Sequence, residues 1–354
     1  MELIADKKST AHYNRTENYP SSLKQLIKAI PEECFQKKPL LAWSWLILDF
    51  LMFGAFLYLT YWVDNWVIGS FIGIFLTGFV LTGLFVIGHD AGHRAFSSSL
   101  RINNIVGHLT TSLMFWPFHL WRIAHNHHHK HTNHVDKDNA WEPHTAEELA
   151  KLPKFYAGLY KLIHKKIWLF WLASFLYNFV LLGSFLAKDP VYKKPYRKQI
   201  WFSILFAAVV VVIYASATIY IAGFYGFVTM FLLPQCTYYF WLTTFTFLHH
   251  TIPEQTFLPD EQWEPVKAQL EGTINVRYGK YVDFFTHHIA WHVPHHVTVG
   301  IPHYQLKKAH QAIKTAYPET VKERKFSFQY LKHSIEQCQE IKSREEPDWQ
   351  KFTF

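Results

Sequence analysis

Residues 67–88 read VIGSFIGIFLTGFVLTGLFVIG, and the five residues that follow, His89 to His93, read HDAGH. The apolar run carries no charged side chain, and about 20 such residues suffice for a helix to cross a bilayer. His89 and His93 are four residues apart, so they share one face of a helix. The stretch therefore predicts a membrane-spanning helix that carries two imidazoles at one end.

The basic residues indicate where further spans lie. None of the 35 Lys and Arg residues falls between Lys38 and Arg94 or between Lys198 and Lys267. Each gap is long enough for two spans of about 20 residues joined by a short turn. The sequence thus predicts two helical hairpins in an all-α, polytopic integral membrane protein. Their four spans are predicted at about 40–62, 67–88, 200–222 and 227–248.

The turns inside the two predicted hairpins lack positive charge, whereas the other loops are basic. By the positive-inside rule, both turns lie outside and both termini lie in the cytoplasm. The net charge of +8 follows this partition, so nucleic acid is not expected as a partner.

Two further apolar stretches, Ile102–Trp121 and Ile167–Ala187, contain polar residues and are expected to be interfacial or re-entrant helices. The chain is thereby divided into three parts. These are a cytoplasmic N-terminal segment 1–39 with an amphipathic helix at 21–30, a membrane domain 40–250 with a cytoplasmic segment 89–199, and a cytoplasmic C-terminal region 251–354.

The 23 histidines are concentrated in three boxes, two of which have the spacing HxxHH. Residues three and four apart share a helix face, so the second box directs His125, His128 and His129 together while His127 points elsewhere. Pro294 is disfavoured inside a helix, so a helix is expected to start near it. The eight box histidines are His89, His93, His125, His128, His129, His292, His295 and His296.

The second hairpin crosses the membrane twice, so all three boxes are predicted to meet on the cytoplasmic face. One structural zinc needs four ligands, and eight imidazoles therefore indicate two metal ions. Zinc has no redox chemistry, so two Fe ions acting with oxygen on a lipid are expected. His250 is the expected ninth ligand, and His287 is a weaker candidate. Residues that would orient ligand rings, or else lie on a solvated loop, are Asp90, Asp138, Asn139 and Glu142.

The boxes and their flanks resemble those of the membrane fatty-acid desaturases, and most of all the cyanobacterial and plastid-type acyl-lipid Δ12 (omega-6) branch. The resemblance spans roughly residues 25–345. The matching stretches are His89–Arg94, Trp121–Asn133, Asp138–Trp141, Phe247–Glu254 and Ile301–Tyr304.

This resemblance implies a di-iron centre, O2, an acyl-lipid substrate and two electrons from an external donor, ferredoxin. A cis double bond would form at Δ12 of oleoyl glycerolipids in a plasma or thylakoid-type membrane. The sequence departs from the family at two positions: Ala91 replaces a common Cys, and His288 replaces a frequent Asp or Asn. The second departure leaves open which of His287 and His288 is a metal ligand and which supports a ligand. His249 is a further candidate for a supporting residue.

Two other functions fit parts of the sequence. A hydroxylase, ketolase or alkane oxidase would use similar histidine boxes, and only the product distinguishes them. A histidine-rich metal transporter would need histidines or carboxylates in mid-span, whereas Asp49 is the one charged residue inside a predicted span. An internal hydrogen bond is the expected role of Asp49.

Overall fold

The computed structural model describes residues 19–255 and 257–353. Within these ranges the chain is mainly helical, and its strands are two or three residues long, which confirms the predicted all-α class. The helices are α1 (Leu23–Lys28), α2 (Pro39–Val63), α3 (Trp66–Ile72), α4 (Gly78–Gly92), α5 (Leu100–Thr111), α6 (Phe118–Lys130), α7 (Ala146–Lys151), α8 (Lys154–Lys165), α9 (Trp171–Leu186), α10 (Arg197–Gly226), α11 (Leu233–His250), α12 (Pro265–Leu270), α13 (Lys280–Phe285), α14 (His292–Val297), α15 (Leu306–Ala316) and α16 (Phe328–Gln337).

The first predicted hairpin is formed by α2 and the pair α3–α4. Asp64 ends α2 in the left-handed conformation, with φ 41°, and Asn65 caps α3 by accepting hydrogen bonds from two backbone N–H groups. A π-helical turn, Gly73–Thr77, joins α3 to α4, so Trp66–Gly92 is one apolar run of 27 residues. Every residue of α4 is buried, whereas most of α2 is exposed. α4 is therefore the central helix of the membrane bundle.

The second predicted hairpin lies within one helical run of 57 residues, Lys194–His250. The run bends at Gly223, whose φ of 59° is a conformation that glycine adopts without steric cost. A π-helical turn, Phe227–Leu232, then leads into α11. The Tyr214 hydroxyl on α10 donates a hydrogen bond to the carbonyl of Met230, so the two arms pack against each other.

α9 is a long apolar helix outside the two predicted hairpins. With the 3₁₀ turn before it, Ile167–Leu186 forms an apolar run of 20 residues with the length and composition of a span. The sequence predicts an interfacial or re-entrant helix here, and this length and composition are compatible with that placement. Asn178 within α9 faces protein, since its amide donates to the Tyr239 hydroxyl at 3.2 Å. The described helical runs with the length and composition of a span are Pro39–Val63, Trp66–Gly92, Ile167–Leu186 and Lys194–His250.

The other uncertain stretch, 102–121, is divided by the left-handed residue Phe115 into α5 and the start of α6. α5 lies directly against α4. A Cβ added at Gly88 would lie 2.4 Å from the Thr110 hydroxyl oxygen, so the two helices approach each other at the level of the first histidine box.

The C-terminal region forms a cap on one end of the helix bundle. Its short helices α12–α16 are tied together by two small sheets. The parallel pair is β1 (Asn275–Arg277) with β2 (Glu323–Lys325), and the antiparallel pair is β3 (Glu340–Ile341) with β4 (Trp349–Gln350).

The predicted N-terminal amphipathic helix is α1, and residues 1–18 of the predicted segment lie outside the described residues. Ser22 accepts the hydrogen bond that caps α1, as the sequence indicated. Leu26 and Ile30 pack against Val293 and Ile301 of the cap. The apolar side chains of this N-terminal segment thus cover the third histidine box.

Candidate metal centre

The first histidine box occupies the C-terminal turn of α4. The ring centroids of His89 and His93 are 4.7 Å apart, as their spacing predicted. Both side chains are buried, because α5, α6 and the cap close around this end of the helix.

The second box occupies the last two turns of α6. His125 and His129 point together, with their Nε2 atoms 3.1 Å apart. His127 turns away, as predicted, and its Nε2–H donates to the carbonyl of Lys137 at 2.9 Å. One face of α6 therefore carries the box and the opposite side carries His127.

The third box is α14 itself. The helix starts at His292 rather than at Pro294, so the proline occupies the first turn, where its missing N–H costs nothing. Asn275 of β1 accepts a hydrogen bond from the Val293 N–H at 2.9 Å and fixes the start of the helix. No local spacing in the sequence points to Asn275.

Packing of α4, α6, α11 and α14 separates the histidines into two groups. In each group, one nitrogen of every ring lies within 4.8 Å of the others. His292 lies beside the second group, with its Nε2 2.9 Å from that of His250. The first group is His89, His93, His125, His129 and His295, and the second is His128, His250 and His296.

In the second group, the rings of His128 and His296 form hydrogen bonds through Nδ1 with residues outside the group. Their Nε2 atoms are left to face the other histidines of the group. Nδ1–H of His128 donates to the carboxylate of Asp138 at 2.7 Å, so Asp138 lies where it can orient this ring. Nδ1–H of His296 donates to Oε1 of Gln269 at 3.0 Å. The amide of Gln269 also donates to the carbonyl of His129 at 2.7 Å. Such bonds select the tautomer in which Nε2 can bind a metal.

Three other polar residues were also expected to support the metal ligands, and each makes its own contacts. Asp90 accepts a hydrogen bond from the backbone N–H of His303 at 2.8 Å and lies 3.8 Å from Nδ1 of His89. The His249 ring stacks on His292 at 4.3 Å. Asn139 lines a cavity beside the boxes.

His287 is paired with Asp49. Its Nε2 lies 2.6 Å from the carboxylate of Asp49, and both side chains are buried. A Cβ added at Gly83 of α4 would lie 3.0 Å from both partners, so glycine makes room for the pair. His287 and His288 are outside both groups, whereas His250 is within one. The hydrogen bond expected for Asp49 is thus present.

Burial makes the box histidines suitable metal donors. Desolvation lowers the pKa of the imidazoles of His93, His125 and His129 well below the usual value. The same cause acts on His292, His295 and His296. These rings are therefore neutral at pH 7 and can donate a lone pair to a metal.

The donor set also fits metal ions because it leaves a buried nitrogen unsatisfied. Nε2 of His296 has no hydrogen-bond partner among the described residues, and an unsatisfied buried polar group costs about 1–3 kcal/mol. A metal bound between the converging nitrogens would remove this cost. Nitrogen donors in this number suit iron, copper, nickel or zinc.

A cavity of about 410 Å³ reaches the histidines from between α8, α9 and α11. Its lining is mainly apolar and aromatic, and it includes His125 of the first group and His128 of the second. A smaller space of about 90 Å³ shares several of these residues and extends to Phe85 and Val86 on α4. No motif in the sequence identifies the residues that line this cavity.

Comparison with known proteins agrees with this arrangement. Residues 64–327 match the family model described as "Fatty acid desaturase". The chain is 40% identical to "sn-1 oleoyl-lipid 12-desaturase" of Picosynechococcus sp., over 91% of each chain. It is 30% identical to "Omega-6 fatty acid desaturase, chloroplastic" of Glycine max, over 90% of this chain and 73% of that protein. It is 31% identical to "sn-1 acyl-lipid omega-3 desaturase (ferredoxin)" of Synechocystis sp., over 99% of this chain and 90% of that protein. The chain therefore belongs to the fatty acid desaturase family, whose members are oxidoreductases, and it is an integral membrane protein of that family.

Proposed function

We propose that this protein is an O2-dependent acyl-lipid desaturase that introduces a cis double bond at Δ12 of oleoyl glycerolipids. The observation that carries the proposal is the apolar cavity, which ends against His125 and His128, one from each histidine group. An acyl chain in this cavity would present its methylenes to both metal positions. Relatives that are 36–40% identical and named as oleoyl-lipid 12-desaturases support the choice of substrate and position.

Two iron ions would be held by nine histidines, the eight of the boxes and His250. When bound, the iron pair supplies the redox chemistry that the neutral imidazoles lack. The overall reaction removes two hydrogen atoms from adjacent methylenes and reduces O2 to two waters with two external electrons and two protons. Ferredoxin is the proposed electron donor, and one relative carries that donor in its name.

The protein's own residues shape the space around the substrate. The Trp121 ring stacks on His125, with centroids 4.7 Å apart, and forms part of the cavity wall. Leu242 and Thr246 of α11 line both the larger and the smaller space. These side chains would exclude water and hold the acyl chain close to the histidines.

The proposed topology places both termini, the segment 89–199 and the region 251–354 in the cytoplasm, in a plasma or thylakoid-type membrane. The turn of the first hairpin supports it, because that turn carries no Lys or Arg. A cysteine introduced for Asn65, which is exposed in the turn between α2 and α3, should react with a membrane-impermeant thiol reagent added outside intact cells. Reaction only after the cells are lysed would contradict this topology.

Fatty-acid profiling tests the proposed function. Expression of the whole chain with ferredoxin, in a host whose lipids carry oleate, should convert oleate to the Δ12 diene. Locating the double bond by mass spectrometry checks the position. A hydroxylated acyl chain, or an unchanged profile with iron-loaded protein, would refute the proposal.

A further inference from the structure

The third histidine box lies on a helix that is too short to hold its own position. α14 has six residues, and isolated helices shorter than about 12 residues are only marginally stable. Its N-cap residue, Trp291, makes no side-chain capping bond. The cap comes from another element, because Oδ1 of Asn275 on β1 accepts a hydrogen bond from the Val293 N–H at 2.9 Å. The orientation of the box therefore depends on the side chain of Asn275.

The side chain of Asn275 is held in turn by His310 of α15. Nδ2 of Asn275 lies 2.9 Å from Nδ1 of His310, and both residues are buried. The Val293 N–H can only donate, so Oδ1 of Asn275 faces it and the amide nitrogen faces His310. The amide nitrogen also only donates, so Nδ1 of His310 accepts and the ring carries its proton on Nε2. An amide turned by half a rotation would place its NH2 group against the Val293 N–H and remove the cap.

A carboxylate fixes the other side of the His310 ring. Nε2 of His310 lies 3.3 Å from Oε1 of Glu323 on β2, and Nζ of Lys314 lies 2.5 Å from the same oxygen. Burial lowers the pKa of His310, so the ring is neutral at pH 7. The negative charge of Glu323 favours the tautomer with the proton on Nε2. This is the tautomer that the amide of Asn275 requires.

His310 also contacts the start of α14 directly. Its ring is stacked on that of Trp291, with centroids 4.5 Å apart and an interplanar angle of 29°. Trp291 immediately precedes His292, the first residue of the box. His310 is outside both histidine groups, so any effect on the box passes through its neighbours.

We propose that His310 is a positioning residue for the iron ligands of the third histidine box. Its Nδ1 fixes the amide of Asn275, and Asn275 fixes the start of α14. The helix then presents His295 to the first group and His296 to the second. This inference rests on the proposed iron centre, because it assigns His310 the alignment of ligands for that centre.

Titration of the metal-free full chain in detergent with Fe(II) tests the assignment. His310→Leu removes both ring nitrogens and keeps a side chain of similar size. It should lower the affinity for Fe(II) about 10-fold, the smaller effect seen when a partner that orients a ligand is lost. His310→Asn places an acceptor oxygen where Nδ1 stands and should recover most of the affinity. His333→Leu on α16 is the matched control, because His333 is exposed, and it should equal the wild type.

A double-mutant cycle with Asn275→Ala separates positioning from a general loss of packing. If His310 acts through Asn275, His310→Leu should cause little further loss of affinity once Asn275 has been replaced. The midpoint of each titration gives the affinity, and its endpoint gives the fraction of protein that binds iron. Incomplete folding of a variant therefore does not imitate a weaker site.

Three results would overturn the assignment. They are an unchanged affinity in His310→Leu, an Asn variant as weak as the Leu variant, and losses that add independently in the double variant. The titration needs neither lipid nor electron donor. A chain that binds Fe(II) but forms no diene would therefore refute the proposed function, while the affinities would still decide the role of His310.

Discussion

At the scale of single residues, the second histidine box shows how spacing on a helix separates ligands from their neighbours. His128 is buried, and its Nδ1–H donates to Asp138, so Nε2 faces the second group. His127 is adjacent in sequence but donates to a backbone carbonyl on the other side of α6. Neighbouring histidines of the same chemistry should therefore differ in function.

Replacing His128 with Ala should abolish iron binding at the second group and desaturation, because it removes a donor that no nearby side chain replaces. Replacing His127 with Ala is the matched control and should keep most of both. Iron content and diene formation measure the two effects. Equal losses in both variants would contradict the assignment of the helix face.

The carboxylate of Asp138 should affect metal binding through the ring of His128, which it orients. Asp138→Asn keeps the shape but removes the negative charge that favours the Nδ1–H tautomer of His128. Loss of such a partner typically lowers metal affinity about 10- to 100-fold. Titration of the metal-free protein with Fe(II) measures this change. Asp136→Asn is the control, because Asp136 is exposed and contacts Arg344 instead. An unchanged affinity in Asp138→Asn would contradict the expectation.

At the scale of secondary-structure elements, the close approach of α4 and α5 positions the first box. Gly88 precedes His89, and a Cβ there would lie 2.4 Å from the Thr110 hydroxyl oxygen. The helices can approach this closely only because the residue has no side chain.

Gly88→Ala should therefore displace α5 or shift His89. Overpacking of this kind costs about 1–3 kcal/mol, and iron content should fall along with thermal stability. Gly54→Ala on α2 is the control, since a Cβ there meets nothing within 4 Å; it should leave both properties unchanged or raise stability slightly. Thermal unfolding in detergent measures the difference. If Gly88→Ala behaves like Gly54→Ala, helix contact does not set the position of the box.

At the scale of the whole molecule, the buried histidines make stability depend on pH. Desolvation lowers the pKa of box imidazoles such as His125 and His295 in the folded protein. In the unfolded chain the same groups bind protons near pH 6.5. The unfolded state thus binds more protons in acid, so stability falls as the pH falls through about 6.5.

Acidification from pH 7.5 to pH 5.5 should lower the unfolding temperature and release iron, since protons compete with the metal for imidazole lone pairs. Returning to pH 7.5 with Fe(II) should restore the metal content. A pH series of iron analysis and thermal unfolding checks this. Equal stability and iron content across the range would contradict neutral, buried imidazoles.

The sequence by itself determined the helical class, the two hairpins and the three histidine boxes. These features are local: hydropathy marks a span within about 20 residues, and the helical period places residues three and four apart on one face. The position of His250 at the end of α11 could be predicted for the same reason.

Only the tertiary structure decided which histidines group together, because distances between residues far apart in the chain depend on how the helices pack. Packing places His295 in the first group and His296 in the second group, although they are neighbours on α14. It pairs Asp49 with His287, brings Gln269 behind His296 and lays α9 against α11. The cavity is likewise a space between α8, α9 and α11, and no single segment of sequence encodes a space between helices.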